Sequence, residues 1–70
     1  MTPKPDLEGL TYMYMQLGQM DSALKSHIED AEEREDGVMA FDLKEAGASI
    51  RQAQEFIRRV TSKLIEELRP

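Results

Sequence analysis

The chain has no cysteine and no tryptophan, one histidine, and only two tyrosines and two phenylalanines among 70 residues. Without cysteine there can be no disulfide and no thiolate metal site. A single histidine leaves no second imidazole to complete a zinc set. No apolar run approaches the roughly 20 residues needed to cross a bilayer. Met1–Pro5 lacks the hydrophobic core of a signal peptide. The expectation is a cytoplasmic protein with no membrane contact. Glycine and proline are also sparse, at four and three, so long helices are not interrupted.

What is present is charge, unevenly placed. The net charge is −5. Residues 1–43 carry ten acidic residues against Lys4, Lys25 and Arg34, whereas residues 44–70 carry six basic residues against Glu45, Glu55, Glu66 and Glu67. A chain this acidic is no general polyanion binder, because phosphate contacts need clustered lysine and arginine. A local basic stripe at Arg51, Arg58, Arg59 and Lys63 remains open, with Tyr12 and Tyr14 at the same end of the hairpin derived below.

Apolar residues recur with helical period. Leu10, Met13, Leu17, Met20, Leu24, His27 and Ala31 alternate in spacings of three and four, as do Met39, Leu43, Ala46, Ile50, Ala53, Ile57, Val60 and Leu64. Two heptad seams of this length exclude strands and predict two helices. Pro3 and Pro5 bar an earlier start, and Asp6 is a suitable N-cap. Gly37 suits the left-handed residue that ends a helix, and Asp42-Leu43-Lys44-Glu45 has capping-box spacing. The reading is a single all-α domain over residues 1–70, with helix 1 at about 7–35, a turn at about 36–41 and helix 2 at about 42–68. So short a connection makes the helices antiparallel neighbours.

A hairpin of 70 residues is too small to cover two such seams. Chains of this size bury only about 60% of their unfolded surface. The expectation is a helical bundle completed by self-association or with a protein partner. With Leu10 at heptad position a, Met13 is d and Tyr14 is e, both on or beside the seam. Tyr12 at c and Met15 at f point outward. Tyr12, Tyr14, Met15, Phe56 and Ile65 are the candidate partner contacts, since aromatic residues and methionine are enriched at interfaces.

No catalytic constellation is legible. Ser22, Ser26 and His27 share one turn, but their spacings do not aim a hydroxyl at the imidazole. The run "EDAEEREDG" places Gly37 at the sixth position of a calcium loop beginning at Glu32, yet its third position is Arg34 and its twelfth is Leu43. The bidentate carboxylate is missing. No glycine-rich phosphate loop follows a strand. The sequence therefore reads as a non-enzyme without cofactor or metal.

The stretches "QMDSALKSHIED" and "SIRQAQEFIRRV", either side of a glycine-containing turn, resemble the small YscE-type co-chaperones of type III secretion needle subunits. The likeness spans most of residues 7–68 and lies in the apolar pattern. It implies a cytoplasmic, non-catalytic hairpin that binds a larger helical chaperone and, with it, keeps an aggregation-prone export substrate monomeric. No residue-level site is carried over by it. Two alternatives share the architecture: a Rop-like homodimeric four-helix bundle binding RNA, and a small phage-type inhibitor of a host protein.

Overall fold

A computed structural model describes residues 6–69 as two antiparallel α-helices, α1 over Leu7–Glu33 and α2 over Gly37–Leu68. The helical hairpin expected from the heptads is the fold. Pro3 and Pro5, used above to bar an earlier start, lie outside the described residues, as do Lys4 and Pro70. The Cα trace measures 55 × 20 × 16 Å with a radius of gyration of 16.1 Å, against about 11 Å for a compact domain of this length. The molecule is a rod two helices thick.

Asp6 caps α1 as expected, its carboxylate accepting from the Gly9 backbone N–H. The turn differs from the sequence reading in three respects. Helix α1 stops at Glu33 rather than 35, the connection is only Arg34–Asp36, and α2 begins at Gly37 rather than 42. The left-handed residue is Glu35, at φ 57°, and not Gly37, whose φ is not positive. The physical reason is the double role of Asp36. Its backbone N–H donates to the Ala31 carbonyl at 2.9 Å while the Glu35 N–H donates to Glu32 at 3.0 Å, the paired bonds of a Schellman closure. Its side chain accepts from the Met39 N–H at 3.0 Å and caps α2. One residue thus ends one helix and starts the next. The Asp42 capping box is superseded because starting at Gly37 gives five more residues a helical backbone and buries Ala40.

The register between the helices is marked by polar cross-links. The Gln54 amide donates to the Tyr14 carbonyl at 3.2 Å, Arg51 pairs with Asp21 at 3.0 Å, and Lys44 pairs with Glu32 at 3.7 Å. The helices approach closely where side chains are smallest. Among the described residues, Ala31, Ala40 and Gly47 are the buried ones.

The seam between the helices is not the one the apolar pattern suggests. On α1 the half-buried residues are Leu7, Leu10, Leu17, Gly18, Asp21, Leu24 and Ile28. On α2 they include Leu43, Ile50, Ala53, Gln54, Ile57, Thr61 and Leu64. The a positions hold, but the e positions, not the d positions, complete the contact: Leu7, Asp21 and Ile28 on α1, with Ala40, Gly47, Gln54 and Thr61 on α2. Thr61 is tolerated there because its hydroxyl donates to the Ile57 carbonyl at 2.8 Å. Met13, Met20, His27, Met39, Ala46 and Val60, expected inside, are exposed; among the d positions Ala53 alone is half-buried.

Candidate functional site

The displaced d residues define a surface. On a helix with 100° between residues, d lies about 60° to one side of a and e about 40° to the other. Each helix turns a and e toward its neighbour, so each leaves d on its flank. Because the helices run in opposite directions their senses of rotation are opposed, and the two d stripes emerge on the same side of the hairpin. The b positions must then share the other side, and they do: Glu32 meets Lys44 there, and Thr11 and Arg58 line one cleft with Tyr14 and Thr61.

The result is one open apolar face. Its α1 half carries Met13 and Met20, 51% and 54% exposed, with His27 continuing the stripe. Its α2 half carries Met39, Ala46, Ala53 and Val60, with Phe56 at the rim. Leu10, Leu17, Leu24, Ile50 and Ile57 form its floor, half-buried between the helices. Among the described residues the buried apolar core of the hairpin is Ala31 and Ala40. Two alanines contribute little burial energy, since stabilisation scales with apolar area removed from water at about 25 cal/mol per Å².

The five contact residues chosen from sequence are exposed, but they do not make one patch. Tyr12 and Met15 adjoin one another on the outer surface of α1, in a shallow depression with Leu7, Glu8 and Thr11. Tyr14 lies across Thr11 from them, in an open cleft of about 200 Å³ with Arg58 and Thr61. Phe56 and Ile65 are nine residues apart on α2, and nine steps of 100° place them on opposite sides of that helix. Phe56 alone borders the open face. The residues the sequence reading missed as surface are Met13, Met20, Met39 and Val60. The signal for them was a second three-four stripe, Leu7, Leu10, Tyr14, Leu17, Asp21, Leu24, Ile28, Ala31, running through the same a positions.

The basic stripe is largely occupied by carboxylates. Arg51 holds Asp21 across the hairpin. Arg58 bonds Glu55 at 2.9 Å, and Arg59 reaches the same carboxylate at 3.8 Å. The Arg59 guanidinium also sits 5.4 Å from the Phe56 ring centre, within cation–π range. The hydrogen bond from Arg58 to Glu55, and the charge of Glu55, raise the Arg58 pKa above its ordinary value, so it is a fixed cation that shares one carboxylate with Arg59 on its own helix. His27 is exposed on the open face rather than enclosed between the helices. Among the described residues no three His, Asp or Glu side chains are placed to hold a metal ion, and no helix is long and apolar enough to cross a membrane. No family model matches the chain, and neither does any curated protein or solved structure.

Proposed function

We propose that the protein is a non-catalytic binding module whose open face receives helices of a protein partner. The observation that carries this reading is the exposed stripe of Met13, Met20, Met39 and Val60 over a hairpin whose buried apolar residues, among those described, are Ala31 and Ala40. Apolar helical surface of this kind is recognised by laying it against another apolar helix face. Methionine suits the task, being unbranched and able to adapt to differing partner shapes. The resemblance to YscE-type co-chaperones gives the partner a type: a larger helical chaperone that, with this hairpin, holds an export substrate in the cytoplasm. Tyr12 and Met15 are then a secondary contact on the outer surface of α1.

The test is affinity capture from the native host with three versions of the chain. The wild type and Arg58→Ala should retain the same helical protein, and Met13→Glu/Met20→Glu should lose it at unchanged helicity. Retention by the glutamate variant would reject the open face as the binding surface. Co-purifying RNA that is lost with Arg58→Ala would instead favour the Rop-like alternative.

A further inference from the structure

We infer that, without another partner, the open face is covered by a second copy of the chain with the turns at opposite ends. The inference rests on the open face being the binding surface and adds its occupant and orientation. Three observations carry it. The first is area: the chain exposes 5886 Å², about 1,400 Å² more than the roughly 4,450 Å² of a compact monomer of 8.0 kDa. One side of a standard interface takes about 800 Å², so a second copy can be accommodated from the excess alone.

The second is self-complementarity. A twofold axis crossing the rod at its middle lays α1 on α1 and α2 on α2, each pair antiparallel. On α1 the exposed d residues are centred on Met20, with Met13 and His27 one heptad to either side. On α2 they are centred between Ala46 and Ala53, with Met39 and Val60 beyond. The Gln54–Tyr14 hydrogen bond and the Arg51–Asp21 ion pair set Met20 level with residues 48–52, within about 4 Å along the axis of the α2 centre at 1.5 Å per residue. Both stripes therefore accept one axis. Met20 meets its own copy, Met13 meets His27, Ala46 meets Ala53, and Met39 meets Val60.

The third is charge, and it decides the orientation. Residues 29–45, around the turn, hold eight acidic residues against Arg34 and Lys44, while residues 51–69 hold five basic against three acidic. Turns at the same end would set the two acidic tips side by side. Turns at opposite ends set each acidic tip beside the basic half of the other α2, with Lys63 brought to the Asp36–Asp42 stretch of the second copy. Like-charge juxtaposition disfavours the first arrangement and opposite charge favours the second.

The absence of cysteine allows a clean test. Wild-type protein at about 50 µM should sediment as a dimer. A nitroxide on Glu33→Cys, at the exposed end of α1, should give an inter-label distance of about 40 Å, since residue 33 lies 13 residues from the axis on each copy. Met20→Glu should weaken the dimer at least tenfold, while Ser22→Glu, a carboxylate placed on the exposed outer surface of α1, should leave it intact. A dimer with labels within about two helix diameters, or 20–25 Å, would overturn the orientation. Dimerisation insensitive to Met20→Glu would overturn the face. A wild-type monomer at this concentration would overturn the second copy as occupant, and the capture of a different helical partner would still stand or fall on its own experiment.

Discussion

Glu35 is held at φ 57°, in a region where side-chain-bearing residues cost about 1–2 kcal/mol. It stays there because the residues on either side are committed, Arg34 as the end of α1 and Asp36 as cap to both helices. Glu35→Gly should therefore stabilise the hairpin, by about 1 kcal/mol after allowing for the greater freedom of glycine in the unfolded chain. Chemical denaturation checks this, and a loss of stability would contradict the left-handed assignment. Gly47 is the opposite case. A Cβ there would lie 3.2 Å from Asp21 Oδ1 and 3.3 Å from Arg51 Nη1, so the ion pair rests on the space that glycine leaves. Gly47→Leu should destabilise by about 1–3 kcal/mol through overpacking, despite the better helix propensity of leucine. A melting temperature at or above wild type would mean the helices are further apart than described.

Each helix has two apolar borders and one neighbour, and that decides which part of the fold was legible. Leu10, Leu17, Leu24 and Ala31, with Leu43, Ile50, Ile57 and Leu64, belong to both stripes, so the heptads identified them, the hairpin and its antiparallel sense. The choice between d and e was not legible, because apolarity records which side chains avoid water and not which neighbour covers them. Here the partner within the chain takes the e stripe, which contains Asp21, Gln54 and Thr61, since those groups find hydrogen bonds inside the hairpin. The greasier d stripe is left over. The turn was misplaced for a similar reason: glycine is the usual left-handed residue, but Asp36 offered two caps at once. The shared a positions should be the most sensitive in either stripe. Leu17→Asp or Ile57→Asp puts an unpartnered carboxylate on the half-buried floor, at about 2–4 kcal/mol, comparable with the whole stability of a domain of this size. Far-UV circular dichroism should register unfolding for both, while Arg58→Ala, whose hydrogen bond stays within its own helix, should leave the spectrum unchanged. Full helicity and an unaltered melt for Leu17→Asp would refute the seam.

At the scale of the whole molecule the question is which surface a partner reads, apolar or basic. Arg51 cannot serve as a probe of the basic surface, because removing it also releases Asp21, whose side chain is only 17% exposed. Arg58 and Lys63 are cleaner, being exposed, and the hydrogen bond of Arg58 stays within its own helix. Binding through the apolar surfaces should be lost with Met13→Glu/Met20→Glu, reduced with Tyr12→Ala/Met15→Ala, and nearly independent of salt. Binding to RNA should be lost with Arg58→Ala/Lys63→Ala, and three phosphate contacts would weaken about 20-fold between 50 and 200 mM salt. Glu55 offsets one of the two charges of Arg58 and Arg59, which argues for the first outcome, since a phosphate would meet a carboxylate already in place. Titrating the captured partner, and separately a single-stranded RNA, against all three double variants at both salt concentrations distinguishes the two. Loss confined to the arginine–lysine pair, with that salt slope, would replace the protein-binding reading with a nucleic-acid one.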